Sequence, residues 1–172
     1  AGFALYAVPS ISGNYWTSFF PAVIVLGLGM TIVVAPLTTT VMSAVGEEQA
    51  GVASGINNAV SRTAGLLAIA VFGVMMLHTF SETLASRMNE LQLDDRVRHS
   101  IYEERMKLAA VEVPSEIDSA TREQLKAAVA AAFIRGFRII MFTSAALALA
   151  SAASAWLFIR SSRLARSQQQ RN

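Results

Sequence analysis

Three long stretches of this sequence contain no Asp, Glu, Lys or Arg, namely Ala1–Gly46, Thr63–Ser81 and Ile139–Ile159. Apolar runs of about 18 or more residues without charge are typical of transmembrane helices, because hydrocarbon does not solvate charged groups. Charged residues make up 15% of the chain, against about 25% in an average soluble domain. Most of them lie between the second and third stretches or after the third. The sequence therefore predicts an all-α integral membrane protein.

Composition divides the chain into six segments. A transmembrane helix needs about 20 apolar residues, so the first apolar segment is too short to span and is interpreted as the end of a helix that stops near Pro9. This interpretation makes the chain part of a longer protein. The predicted segments are the end of a transmembrane helix at 1–10, three complete transmembrane helices at 17–45, 49–80 and 136–159, an amphipathic loop at 81–134 and a basic tail at 160–172.

The polar segment 81–134 contains one or two predicted amphipathic helices. Pro114 interrupts the pattern, and Ser115 or Asp118 is placed to cap a second helix that runs through Arg122–Phe133. Charges of both signs are interleaved before the proline. Such a run is typical of a solvated helix face, but it can also bind a partner, and both interpretations stay open.

The second complete span begins with an unusual set of small and polar residues. On an α-helix, one stripe at spacings of four and three contains Gly51, Gly55, Asn58, Arg62 and Gly65, with Ser54 and Asn57 beside it. Glycine and serine let membrane helices approach closely, and buried polar side chains form hydrogen bonds between helices. We therefore predict helix packing or a hinge at the glycines and Ser54, and a substrate path or gate at the two asparagines and the arginine.

Arg62 has three interpretations. An arginine at the centre of a bilayer costs about 2.5–3.5 kcal/mol on insertion scales, so it normally faces a cavity, meets a partner or extends to the membrane surface. In the first interpretation Arg62 lies near the surface and the glycines only pack. In the second it forms a gate contact at the mouth of a substrate path, and in the third it contacts a ligand directly.

The preceding span has a similar seam. The seam, again at spacings of four and three, consists of Gly29, Val33, Pro36, Thr40 and Ser43, with Gly27 two residues before Gly29 and with Thr38 and Thr39 close by. Pro36 cannot donate to the Ile32 carbonyl, and the threonine hydroxyls are placed to satisfy freed backbone groups. Helices interrupted by Gly and Pro often move and line cavities in transporters, although a simple kinked packing helix has the same residues.

These two segments together resemble the last third of major facilitator superfamily transporters, in particular the fourteen-helix drug:proton antiporter branch. The penultimate helix of that branch opens with a comparable set of residues, here Gly51, Ala53, Ser54, Gly55, Asn58, Arg62 and Gly65, and the helix before it matches at Gly27, Gly29, Ala35 and Pro36. The resemblance covers about residues 15–73 and extends loosely to the final helix. It departs from the pattern at Leu66 and Ile69, where relatives often have further glycines.

The resemblance implies the end of helix 11 and helices 12, 13 and 14 of a multi-pass plasma-membrane protein, as in a bacterial inner membrane. It implies a cytoplasmic C-terminus and an extracytoplasmic 81–134 loop, whereas the arginines at the two ends of the last span leave the orientation ambiguous. It also implies proton-coupled multidrug export, the efflux of small lipophilic or cationic compounds by alternating access, with a small molecule, protons, the lipid bilayer and the remaining helices as partners. No span contains an acidic residue, so a proton-coupling carboxylate would belong to another part of the protein.

The sequence offers little for other functions. His78 and His99 are the two histidines and have no metal-ligand spacing, so no metal site, cofactor or catalytic residue is predicted, and the chain is not expected to be an enzyme. No interleaving of aromatic and basic residues indicates nucleic acid. Two alternatives to multidrug export stay open: a non-transporting membrane module, such as a sensor or assembly subunit, and a nutrient carrier of the same fold.

Overall fold

The structure is a computed structural model that describes residues 1–8, 14–43, 45–114 and 117–169. Helices make up most of it, and six are α-helices: α1 (Gly2–Tyr6), α2 (Tyr15–Ser18), α3 (Phe20–Ser43), α4 (Ala50–Glu90), α5 (Asp95–Glu103) and α6 (Ser119–Gln169). Two 3₁₀ segments, Glu47–Gln49 and Glu104–Ala110, connect α3 to α4 and follow α5.

Three helices in the described part of the chain are long and apolar enough to cross a membrane, which confirms the predicted all-helical class with three candidate spans. They cover Phe20–Val41, Glu47–Glu90 and Ser119–Leu157. The short helix α1 precedes them and packs against α3 and α6. Pro9, which was expected to end the first helix, lies outside the described residues.

Helices α4 and α6 both continue far beyond the predicted spans. Helix α4 runs from Ala50 to Glu90 without a break, and α6 begins at Ser119 rather than near Gly136. No Gly or Pro interrupts Ser81–Glu90, and the Ala-rich stretch before Gly136 has high helix propensity. Much of the 81–134 segment is therefore a direct extension of two long helices.

The hydrophobic core lies in this extension, which we call the cap and define as residues 76–136. The cap comprises the C-terminal part of α4, α5, the second 3₁₀ segment and the N-terminal part of α6. Along α4, Phe80, Leu84 and Met88 recur every four residues and face α6. One buried cluster contains Phe80, Leu84, Met88, Ile101, Val111, Leu125, Ala128, Val129 and Ala132.

Asp118, one of the two residues predicted to cap this helix, caps the N-terminus of α6. Its carboxylate accepts hydrogen bonds from the backbone N–H groups of Ala120 and Thr121, both at 3.0 Å, which satisfies donors that the first turn of a helix leaves free. A side-chain hydrogen bond from Thr121, together with these backbone bonds, lowers the pKa of Asp118. Ser115, the other predicted cap, lies outside the described residues.

Two glycines permit close contacts between helices in the described chain. A Cβ on Gly2 would lie 2.9 Å from Cβ and 3.0 Å from Cα of Leu26, so α1 crosses α3 at backbone distance. A Cβ on Gly136 would lie 2.6 Å from Sδ of Met76. The second contact marks the level at which α4 and α6 leave the cap.

Candidate functional site

The predicted stripe lies on one continuous helix. All of its residues belong to α4, so the spacing of four and three does place them along one side. Gly51, Gly55, Asn58, Arg62 and Gly65 are exposed, and Ser54 and Asn57 are half-buried. The apolar side opposite is exposed as well, with Val52, Ile56 and Leu66 at 60–70% of their full accessibility. Helix α4 therefore presents two chemically different faces in this region.

Within the described part of the chain, nothing packs on the stripe glycines. No atom lies within 4 Å of the Cβ position of Gly51, Gly55 or Gly65, and the same holds for Gly27 and Gly29 in α3. Close helix crossing at these five glycines stays a prediction. Such a crossing requires a helix other than those that this structure describes.

Arg62 has no hydrogen bond or ion pair with any described residue. The charge-free run that follows it, Thr63–Ser81, is about 28 Å long as a helix, and the hydrocarbon layer of a bilayer is about 30 Å thick. Because the charged residues of the cap begin at the far end of that run, with Glu82, this length favours a place for Arg62 at the opposite surface of the layer. There its guanidinium can reach headgroups, water or a polar cavity while its methylenes stay on the apolar side.

The threonines of α3 satisfy backbone carbonyls, but not the one that was expected. Thr38, Thr39 and Thr40 donate to the carbonyls four residues before them, those of Val34, Ala35 and Pro36, at 3.0, 3.1 and 2.8 Å. A hydroxyl has one proton to donate, so none of the three compensates for the bond that Pro36 removes at Ile32. The hydroxyl rotamer within a helix favours the local i−4 carbonyl, which explains the difference.

Helix α3 is continuous through Pro36 and contacts α4, to which the first 3₁₀ segment joins it. The structure thus brings the two predicted polar seams onto neighbouring helices. It does not join them by hydrogen bonds, since the hydroxyls of Thr38–Thr40 bond within α3. The two seams are available to a third element or to a ligand.

Charged residues of the cap pair with each other on its surface. Arg87 with Glu90, Lys107 with Glu104 and Lys126 with Glu123 form ion pairs of 2.8–2.9 Å, each with its partner three residues away in sequence. These pairs match a solvated helix face, where such pairs contribute little to stability. Among the described residues, no group of three His, Asp or Glu side chains is placed to hold a metal ion.

Sequence reasoning missed Gly2 and Gly136, the two glycines at which described helices make close contact. Neither belongs to a motif, because each is a single glycine without a second small residue at helical spacing that the sequence singles out. A close approach depends on which helices become neighbours, and the sequence around one glycine does not specify its neighbour.

Comparison of the chain with protein-family models, with curated proteins and with solved structures gave no match. The resemblance to major facilitator transporters therefore rests on the motif residues of α3 and α4.

Proposed function

We propose that this chain is the C-terminal part of a secondary active transporter that exports small lipophilic or cationic compounds in exchange for protons. The observation that supports this most is the exposed stripe of Gly, Asn and Arg on α4, which has no partner among the described residues. On a helix apolar enough to cross a membrane, such a stripe needs protein or water against it. Neighbouring helices and a substrate path would provide both.

In this proposal α3 lines the central cavity and α4 packs where the two halves of the transporter meet. Thr38–Thr40 and the two asparagines, Asn57 and Asn58, would offer polar contacts along the path. Arg62 would act at its cytoplasmic mouth, which agrees with the charge-free run of about 28 Å that separates it from Glu82, close to one hydrocarbon thickness. Alternating access by rocking of the two halves would expose the path to each side in turn.

Proton coupling would use a carboxylate in another part of the transporter. The three charge-free stretches of this chain have no Asp or Glu, and a coupling group has to be buried in the membrane and change its protonation. This chain would supply gating and packing, and the substrate would be bound jointly with other helices.

The proposed topology places the C-terminus in the cytoplasm and the cap outside it, in a plasma membrane such as a bacterial inner membrane. The tail after the last span contains Arg160, Arg163, Arg166 and Arg171, and cytoplasmic segments next to spans are rich in Arg and Lys. Because Arg135 and Arg138 lie at the other end of that span, the choice between the two sides rests on the resemblance to major facilitator transporters. Because α4 and α6 both lead into the cap, the cap would lie on the side opposite the tail.

A non-transporting membrane module is the second candidate. The cap supports it, since it has its own buried core of nine residues and could present a folded surface to a partner. A nutrient carrier with the same helices would differ from an exporter in substrate and direction rather than in this architecture.

The decisive experiment uses everted membrane vesicles that contain the intact parent protein. We expect a lipophilic cationic dye to move in response to an imposed proton gradient. The Arg62→Ala variant should lower the initial rate by about fivefold or more, on the scale of typical coupling between sites, with little change in expression. Arg96→Ala is the matched control, because Arg96 is an exposed arginine of the cap.

Equal rates for Arg62→Ala and the unchanged protein would remove the gating role. Gradient-independent dye distribution across a panel of cations would refute multidrug export and favour the membrane module.

A further inference from the structure

An open cavity of about 410 Å³ lies between α4 and α6 where they enter the cap. Its volume is within the range of small-molecule sites, about 300–1,000 Å³. Residues of α4 line one wall and residues of α6 the other, and the lining includes Thr79, Glu82, Thr83, Glu90, Arg135 and Ile139. This cavity combines hydroxyls, carboxylates and guanidinium groups with an apolar end.

The apolar end lies at the expected membrane surface. Ile139 begins the charge-free stretch of α6, and Thr79 is near the end of the charge-free stretch of α4. From Thr79 to Glu90 the wall rises about 16 Å along α4, whereas the headgroup region of each leaflet is roughly 5–8 Å deep. The half of the cavity nearest Thr79 is therefore at the depth of lipid headgroups.

Arg135 provides a cation without a partner at this depth. It lines the cavity, is exposed, and has no hydrogen bond or ion pair with a described residue. The other arginine of the lining, Arg87, is already paired with Glu90 at 2.9 Å. A guanidinium binds phosphate oxygens in a two-pronged geometry, and the hydroxyls of Thr79 and Thr83 on the facing wall are additional donors.

The charges of the lining also indicate which phosphate compound fits. Glu82 and Glu90 contribute two negative charges, and Arg87 and Arg135 contribute two positive charges, so the cavity is neutral overall. A neutral cavity with separated charges favours a zwitterionic ligand over an anionic one, because each charge then has a complement. Glu82 is exposed and available to an ammonium group, and the described residue that pairs with it is His78, at 3.4 Å.

We propose that this cavity binds the headgroup of a zwitterionic phospholipid with a primary amine, its phosphate held by Arg135 and its ammonium by Glu82. The acyl chains would leave past Ile139 along the apolar surfaces of α4 and α6. This site does not depend on the transport proposal, since it uses residues outside the predicted path.

The test is native mass spectrometry of the full chain in detergent, with phosphatidylethanolamine and phosphatidylglycerol as probes. We expect phosphatidylethanolamine to bind more tightly. Arg135→Ala should weaken its binding roughly tenfold, the scale for loss of a charge-assisted hydrogen-bond pair, and Arg135→Lys should weaken it less. The matched control, Arg96→Ala, should leave binding unchanged. Thr83→Val removes one hydroxyl without changing charge and should weaken binding by a few fold.

Circular dichroism tests whether each variant keeps its helices. If Arg135→Ala does not fold, the binding of Thr83→Val decides the test. Unchanged lipid binding in the folded variants would overturn the proposal. Tighter binding of phosphatidylglycerol would overturn the assignment of a zwitterionic ligand. Full displacement of the lipid by equal concentrations of soluble glycerophosphoethanolamine or inorganic phosphate would overturn the lipid source and indicate a free phosphate compound.

Discussion

The cap and the membrane-spanning parts of the same two helices bury their apolar side chains in opposite ways. In the cap, Phe80, Leu84, Ile101 and Leu125 are at most 1% exposed. In the most apolar windows of the three candidate spans, at most 6% of the residues are buried. Helices α4 and α6 pass through both regions, so the difference is not one of helix propensity. It arises because the cap is suited to water and the spans are suited to lipid.

Water drives the burial seen in the cap, at roughly 25 cal/mol for each Å² of apolar surface removed from it. Lipid provides no such force between helices, because acyl chains are as apolar as leucine. Spans associate through small residues and polar contacts instead. Among the described residues, no atom lies within 4 Å of the Cβ positions of Gly51, Gly55 and Gly65, and Arg62 has no hydrogen bond or ion pair. The apolar core of the cap is thus packed within this chain, whereas among the described residues the most apolar windows of the spans are almost entirely unburied.

The largest expected effect comes from a matched pair of phenylalanines. Phe80 is fully buried in the cap core and Phe142 is 58% exposed on α6. We expect Phe80→Ala to lower the free energy of unfolding by about 3–5 kcal/mol, because it leaves a cavity, and Phe142→Ala to change it little. Denaturant unfolding of the full chain in detergent, followed by circular dichroism, measures both. Similar losses for the two variants would mean that the spans also hold a core.

A second, smaller effect separates glycines that have neighbours from glycines that do not. Gly136→Leu places a side chain against Met76 and should destabilise the chain by about 1–3 kcal/mol. The thioether of Met76 can rotate away from a single methyl group, so Gly136→Ala should cost less. Thermal unfolding of the detergent-solubilised chain compares the two variants. Equal stability of Gly136→Leu and the unchanged protein would contradict the close contact.

Gly55→Leu is the counterpart on the stripe. No described atom is within 4 Å of its Cβ position, so in this chain alone the variant should be as stable as the original, or about 0.5–1 kcal/mol more stable through helix propensity. In the intact transporter that we propose, we expect the same change to reduce the folded yield, measured as the monodisperse fraction in size-exclusion chromatography. A normal yield there would argue against a helix packed on the stripe.

The sequence predicted the three long apolar helices because a long apolar stretch without charged residues is visible in the sequence itself. This pattern does not depend on tertiary contacts. It did not predict that α4 continues to Glu90, or that the helix predicted to start after Asp118 runs without a break into the last span as α6. The segment between them has enough polar residues to look like a separate loop. Its apolar positions, such as Leu84 and Leu125, form a core only through contacts across long sequence separations.

The sequence likewise predicted the helix of the candidate site but not the contacts that depend on tertiary structure. Helical spacing placed Gly51, Asn58 and Arg62 on one side of a helix, and the structure has that helix. The target of the threonine hydroxyls was predicted wrongly. The Ile32 carbonyl lacks the donor that Pro36 cannot provide, but each hydroxyl donates to the nearer carbonyl four residues before it. The cavity at Arg135 needs two helices at a defined crossing, which the sequence of either helix alone does not specify.

The smallest expected effect is a pH dependence that belongs to the cap alone. Hydrogen bonds from the Thr121 side chain and from backbone N–H groups lower the pKa of Asp118 below its ordinary value of about 3.9. The stabilisation from this carboxylate is therefore complete above that value, and it is lost as the pH falls through the lower pKa of the folded state. Asn keeps a capping oxygen but no charge, so Asp118→Asn should be less stable than the unchanged protein at pH 7 and equal to it in strong acid. Thermal melting of both proteins between about pH 7 and pH 2 measures this convergence.

Asp95→Asn, at a fully exposed carboxylate in α5, is the control. A difference for Asp118→Asn that stays constant with pH would show that the carboxylate stabilises α6 by geometry and not by charge.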